Sequence, residues 1–409
     1  MKILLTSDWF APSVNGVVVS IMNLYNELKN AGHEVRILTL SDSDKSYIDG
    51  DFYFVRSFAV KVYPNVRGTL IITNKVIDAL VDWKPDIIHS QCEFFTYSFA
   101  YRIARKTGAP LVHTYHTLYE YYTKYVIPNE KLGQMMVGSA MRIRLKNAAA
   151  IIAPTLKVKN NLIEHDLNEK IVVIPTGIHL EKYYERIPDE RKTEIREKYQ
   201  IPEDHKILIC LGRVAEEKNI QELIQNFKLL IQVYPKVTFL IVGDGPYRED
   251  LIRLVEDKGL SDQILFTGMI NPAEVRDYYQ TADIFISASV SETQGLTYVE
   301  AMANGLPEVC RKDEAIDGVV LPGTNGYLFK NSAEFVEYTK RLLVNEDLHR
   351  QFSEAAIETS KSFSTYNFGQ RVIALYEEVL KNHRPDSNLD RLFDMVQTIK
   401  IKGTKILKP

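Results

Sequence analysis

Short apolar runs alternate with helix-like segments along nearly the whole chain, and the alternation restarts once. In the first half the strand candidates are Lys2–Thr6, Val35–Leu40, Ile87–Ser90, Leu111–Thr114, Ala150–Ala153 and Val172–Ile174. In the second half they are Ile207–Leu211, Thr238–Val242, Ile264–Phe266, Ile284–Ser287 and a weaker one near Val309. The spacers are long enough for the helical crossovers that parallel strands require. A charged stretch, Glu181 to Asp204, separates the halves; Pro188 and Pro202 punctuate it, and a helix is expected over about Asp189–Tyr199. At 409 residues the chain is too long for one ordinary core. The expectation is an α/β chain of two Rossmann-like, doubly wound parallel-sheet domains facing across a cleft, with ligands at the carboxyl ends of the strands. The expected domains are 1–180 and 181–363, followed by a long helix over 364–383 and a basic tail over 384–409.

Composition narrows the function. A net charge of −3 argues against a nucleic-acid binder. Cys92, Cys210 and Cys310 lie far apart in or beside apolar runs and read as reduced, buried and inert. The apolar core of the N-terminus is too short for a signal peptide, and no run is long enough to span a bilayer. A cytoplasmic protein is expected unless something holds it to a surface.

The segment Ser289–Glu300 carries the sharpest chemical signal. Glu292 and Glu300 stand eight residues apart, with Glu292 in a strand-to-helix turn and Glu300 on the helix that runs from Leu296 to Asn304. Eight residues are close to a whole number of turns, so both carboxylates can face one cleft, ~12 Å apart by helical rise. The backbone N–H groups of Gln294, Gly295 and Leu296 would open that helix as an anion site. Carboxylates grip hydroxyls and a helix end grips phosphate, so together they point to a sugar nucleotide. The plainer alternative is a helix N-terminal charge and a solvated face.

Other positions add to this. Arg213 directly follows the first strand of the second half and Lys218 comes five residues later, where two cations can clamp a diphosphate electrostatically. Val242-Gly243-Asp244-Gly245-Pro246 suits a tight turn into a helix. Gly16 lies where the first strand's loop enters a helix and either lets a phosphate approach or simply starts the helix. His116 follows the strand Leu111–Thr114 and is either cleft-facing or a packing histidine. No His or Cys spacing resembles a zinc site. Asp42-Ser43-Asp44 and Asp49-Gly50-Asp51, in the polar loop Ser41–Asp51, read as turn chemistry rather than metal ligands.

Gly16, His116, Gly212-Arg213 with Lys218, and Glu292 paired with Glu300, in that order, resemble the retaining glycosyltransferases of family 4. Gly323-Thr324-Asn325-Gly326-Tyr327-Leu328 also fits, and the likeness covers nearly the whole chain. The resemblance implies the GT-B fold, the donor mainly on the second domain, and a last helix that crosses back to the first. It further implies that Arg213 and Lys218 hold the donor diphosphate and that Glu300 binds the ribose. Glu292, with the amides of Gln294, Gly295 and Leu296, would bind the sugar. Gly16 would approach the phosphates, and His116 would contact sugar or acceptor. No metal and no cofactor are implied beyond a UDP-sugar donor substrate. Two departures stand out. Glu308 in Gly305-Leu306-Pro307-Glu308-Val309 puts a charge into a strand, where it must pair with Arg311 or Lys312 or face the cleft. Lys312-Asp313-Glu314-Ala315 replaces the family's Gly-Gly turn.

The acceptor is less legible. Lys131–Lys146 is an amphipathic pattern with Arg142, Arg144 and Lys146 at its end, preceded by Tyr119, Tyr121, Tyr122, Lys124 and Tyr125. A basic amphipathic helix can lie on an anionic bilayer, though a core-packed helix with a solvated end has the same pattern. Within family 4 the chain looks most like bacterial diacylglycerol glucosyltransferases, which implies glucose transfer from UDP-glucose to a membrane lipid at the inner face of the cell membrane. A soluble or polymer-linked sugar acceptor, or a nucleotide-sugar-binding protein without turnover, are the alternatives.

Overall fold

The computed structural model describes residues 1–9, 16–59, 67–71, 74–117, 130–167 and 170–384, without the side chains of 130–137. Two compact units emerge. One comprises Met1–Ala153, Asn161–Ile174 and the chain from Gly369 onward; the other comprises Pro154–Asn160 and Pro175–Phe368.

The first unit holds β1 (Lys2–Ser7), β2 (Glu34–Leu40), β3 (Tyr47–Asp49), β4 (Phe52–Val55), the small hairpin β5 (Phe58–Ala59) and β6 (Arg67–Gly68), β7 (Ile87–Ser90), β8 (Leu111–Thr114), β9 (Ala150–Ala153) and β10 (Ile171–Val173). Its main sheet has the order β10-β9-β8-β7-β1-β2-β4-β3, and only the edge strand β3 runs antiparallel to its neighbour. Ile3, Leu4, Leu5, Val35, Ile37, Ile87 and Ile88 are fully buried. Strands this uniformly apolar are those of a parallel sheet covered on both faces. The polar loop expected over Ser41–Asp51 contains β3, and Asp49-Gly50-Asp51 forms the turn into β4. Asp51 there accepts from Tyr25 and from Lys29.

The second unit holds β11 (Lys206–Leu211), β12 (Val237–Val242), β13 (Ile264–Gly268), β14 (Ile284–Ser287), β15 (Glu308–Arg311) and β16 (Gly326–Phe329) in the order β13-β12-β11-β14-β15-β16, every pair parallel. Alternate residues feed two separate cores. Ile207, Ile209, Leu240 and Val242 join one, and Leu208, Phe239 and Ile241 join the other. β11 pairs with β12 on one side and β14 on the other, so the strand order reverses around it, and a doubly wound sheet binds ligands where that happens.

The last helix, Thr365–Asn382, belongs to the first unit from Gly369 onward. A Cβ at Gly369 would lie 2.6 Å from the Glu27 side chain, so its packing there needs glycine. The tail beyond residue 384 lies outside the described residues.

For Glu308 the sequence leaves open pairing with Arg311 or Lys312 or a cleft-facing carboxylate, and the structure buries it instead. It is fully buried in β15, and among the described residues neither carboxylate oxygen has a hydrogen-bond partner. Arg311 is engaged instead by Glu222. Burial pushes the Glu308 carboxyl well above the ordinary glutamate range, so the folded protein holds it protonated. The unfolded chain ionises once the pH exceeds the ordinary glutamate value, so stability falls with rising pH above that point. Glu308→Gln is therefore expected to be more favourable to stability at pH 8 than at pH 4, measured by denaturant unfolding at both pH values.

Candidate functional site in the second unit and the polar network of the first

Arg213 and Lys218 both come from the loop that leaves β11. That loop, Gly212–Val214, packs directly on the turn after β12. Gly212 N–H donates to Val242 O, Val214 N–H to Asp244 O and Tyr247 N–H to Val214 O, at 2.9, 2.9 and 3.1 Å. A Cβ on Gly243 or Gly245 would lie 2.0 or 2.3 Å from a backbone oxygen of the first loop, so only glycine permits this approach. The Gly243–Pro246 turn therefore acts as the platform for Arg213. Lys218 ends a single 3₁₀ turn, Glu216–Lys218.

Lys218 Nζ lies 2.5 Å from Glu292 Oε1. Burial alone would push the Glu292 carboxyl up. The Lys218 ammonium and its hydrogen bond, with Ser289 and Lys157, outweigh burial and hold it below the ordinary glutamate range. Arg213 is exposed and ion-paired with Glu217. Lys218 and Glu292 thus meet where β11 and β14 end side by side, while Arg213, on the same loop, is turned to Glu217.

The helix after β14 starts later than an eight-residue helical repeat requires. It spans Leu296–Ala303, and Gly295 precedes it in the left-handed region at φ 71°, ψ 67°. A Cβ there would lie 2.6 Å from the Tyr298 ring, so space and backbone both demand glycine. Glu292 therefore sits on the turn and Glu300 on the helix, and a helical rise does not measure their separation. Among the described residues no side chain caps this helix, which leaves its first N–H groups for an anion. Glu300 receives a 3.3 Å hydrogen bond from Tyr279 Oη. Burial raises its carboxyl above the ordinary range, against the opposing hydrogen bonds of Tyr183 and Tyr279 and the charge of Lys182.

Three partners outside this strand and helix hold the turn. Thr155 Oγ1 donates to Thr293 O at 2.8 Å, and Lys157 Nζ to Val290 O at 2.5 Å. Gln294 accepts from Thr176 N–H at 2.7 Å and donates back to Thr176 O at 2.8 Å. Its side chain is thus committed to the fold, which leaves only its amide for a ligand. Asp313, in the stretch Lys312–Ala315, binds Lys157 at 2.9 Å and caps the next 3₁₀ turn through Ala315 N–H. Lys157 and Asp313 carry no local sequence signal, because their partners lie far along the chain.

The first unit keeps its polar side chains at the same ends of its strands. His116 is half-buried, with Nε2 2.8 Å from Gln91 Oε1. Burial, opposed by Glu93 and reinforced by His113, lowers its imidazole to about 4, so it is neutral at physiological pH. Asp8 caps the helix Phe95–Thr107 through the N–H groups of Phe95 and Thr96, at 3.1 and 2.7 Å. Burial, partly offset by those bonds, pushes its carboxyl up to about 6. Sequence reasoning passed over Asp8, Gln91 and Glu93; each stands just beyond a parallel strand, and that position was the available signal. Gly16 opens the helix Gly16–Asn30, and a Cβ there would meet no atom within 4 Å.

The basic helix end divides. Arg142 is exposed and ion-paired with Asp166, and Lys146 is exposed beside the 69% exposed Ile143. Arg144 is half-buried: its guanidinium lies 5.1 Å from the Tyr97 ring and donates to Phe94 O and Ser98 Oγ. Much of its charge therefore serves the fold. The Lys131 side chain and Tyr119–Tyr125 lie outside the described residues.

Comparison with known proteins adds an independent line. The family pattern "Glycosyltransferase Family 4" matches residues 14–182, and "Glycosyl transferases group 1" matches 191–359. The α-monoglucosyldiacylglycerol synthase of Streptococcus pneumoniae is 32% identical, covering 99% of this chain and 95% of its own length. That of Acholeplasma laidlawii is 31% identical over 94% and 99%. Among solved structures, Anabaena HepE in complex with UDP superposes with a TM-score of 0.72 at 17% identity, covering 92% of this chain and all of its own.

Gln294→Leu removes both bonds to Thr176. It is expected to lower stability by about 1–3 kcal/mol and to speed amide exchange at Thr176, measured by denaturant unfolding and hydrogen exchange. An unchanged Thr176 amide would show that the turn is held without it.

Proposed function

Because this chain is a glycosyltransferase of family 4 with the GT-B fold, we propose that it moves glucose from UDP-glucose to diacylglycerol, with retained configuration and no metal ion. The observation that carries the reading is the near-full-length likeness, at 32% and 31% identity, to two enzymes described as α-monoglucosyldiacylglycerol synthases.

In this reading Arg213 and Lys218 take the donor diphosphate. Both are already within reach of carboxylates, Glu217 and Glu292, so the donor exchanges one anionic partner for another instead of stripping bare cations of water. Glu292, once Lys218 turns to phosphate, accepts from sugar hydroxyls beside the open amides of Gly295 and Leu296. Glu300 accepts from the ribose hydroxyls. Its raised carboxyl is suited to that task, since hydroxyl donors replace water around a half-desolvated charge. Gly16 lets backbone approach the phosphates, and neutral His116 hydrogen-bonds the sugar or the acceptor hydroxyl.

Reaction on the front face balances without an enzyme nucleophile. The acceptor oxygen bonds to the anomeric carbon as that carbon's bond to the phosphate oxygen breaks on the same side. The acceptor's proton passes to the departing phosphate, whose growing charge Arg213 and Lys218 stabilise. The lipid acceptor is met at a membrane surface: Lys146 and Arg142 supply exposed cations and Ile143 exposed apolar area on one helix end. Among the described residues no helix is long and apolar enough to cross a bilayer, so the proposed location is peripheral, at the inner face of the cell membrane.

Transfer of labelled glucose to diacylglycerol in anionic vesicles tests this. The expected result is a monoglucosyl lipid, with kcat/KM lowered on the order of 100-fold in Lys218→Ala and Glu300→Ala. Transfer to soluble sugars alone would reject the lipid assignment, and UDP binding without any transfer would reject the enzyme reading.

A further inference from the structure

A chain of side-chain hydrogen bonds in the first unit runs from the last helix to His116. Tyr376 Oη lies 2.6 Å from His89 Nδ1. His89 Nε2 lies 2.7 Å from Thr114 Oγ1 and 3.1 Å from Gln91 Nε2. Gln91 Oε1 then meets His116 Nε2 at 2.8 Å. Tyr376 and His89 are fully buried, and Gln91 and Thr114 nearly so. Only His116 has a part in the reaction described above.

Such a chain has a direction. A carboxamide oxygen only accepts, so the bond to Gln91 requires a proton on His116 Nε2. A carboxamide nitrogen only donates, so His89 Nε2 must be the unprotonated nitrogen, its single lone pair shared between the Gln91 N–H and the Thr114 hydroxyl. A neutral imidazole carries one N–H, which for His89 is then Nδ1–H, donating to Tyr376 Oη. Both imidazoles are neutral, His89 because complete burial disfavours its charged form. With its proton on Nε2, His116 is left with a lone pair on Nδ1. Reversing the Gln91 amide would reverse both tautomers, so the amide is the element on which the arrangement turns.

We infer that Gln91, backed by His89 and Tyr376, is a positioning residue that fixes His116 as its Nε2–H tautomer and so keeps Nδ1 as an acceptor for a substrate hydroxyl. The inference rests on His116 touching substrate, as proposed above. It makes the last helix a contributor to the reaction, because Tyr376 supplies the far end of the chain.

The test uses the full chain carrying ¹⁵N-histidine, with two-bond ¹⁵N–¹H spectra reading the tautomer of His116 in the resting protein. The expected spectrum shows His116 protonated at Nε2. In Gln91→Met, which removes both amide groups, it shows a mixture. Glucose transfer by that variant falls on the order of 10-fold in kcat with KM for UDP-glucose nearly unchanged. Gln91→Glu, which keeps an acceptor for His116, retains the Nε2–H form, and Tyr376→Phe loosens it without altering the packing. A wild-type His116 protonated at Nδ1, or a tautomer and kcat indifferent to Gln91→Met, overturns the inference. Full turnover in His116→Ala would instead sink the substrate-contact reading, while the spectrum of the resting protein still judges the tautomer.

Discussion

The Lys218–Glu292 ion pair ties the turn after β11 to the turn after β14, and the site depends on those two turns staying together. The sheet makes this possible: β11 and β14 are neighbours, with Leu208 opposite Ile284 and Ile209 opposite Phe285. Their carboxyl ends are thereby side by side, and each turn carries one charge of the pair. Partly desolvated charges are tolerated only with a partner. The pairing of Lys218 with Glu292 supplies that partner to two partly buried groups.

The same logic extends outward. Thr155, Lys157 and Gln294 hold the backbone of the 290–294 turn, and Asp313 in turn holds Lys157. The glycine at 295 fixes the angle at which the helix leaves. Electrostatic preorganisation works only if donors and charges are already aimed, since reorganising them during the reaction would cost the rate they supply.

Much of the sheet architecture was legible because parallel strands buried on both faces write themselves as continuous apolar runs. β7, β8, β9 and β14 match the runs Ile87–Ser90, Leu111–Thr114, Ala150–Ala153 and Ile284–Ser287 residue for residue. β3, β4, the hairpin β5–β6 and β16 were missed: Tyr47–Asp49 is a short, exposed edge strand in a polar loop, Phe52–Val55 is only four residues long, β5 and β6 are two residues each, and Gly326–Phe329 starts with glycine among turn residues. Lys218 and Glu292, brought to one donor only by the resemblance, lie 2.5 Å apart. The helical spacing of Glu292 and Glu300 failed at Gly295, whose left-handed backbone no periodicity reveals. Glu308 shows the opposite limit. Its nearest cation in sequence, Arg311, is taken by Glu222, and pairing across 89 residues cannot be read from local spacing.

The central claim is that Arg213, Lys218, Glu292 and Glu300 serve one nucleotide-sugar site. Calorimetric titration of UDP into the wild-type protein, Arg213→Ala/Lys218→Ala and Glu300→Ala tests it most directly. The account predicts a single saturable site in the wild type, with affinity weakened on the order of 10-fold or more in each variant. Equal UDP affinity in all three proteins would contradict it.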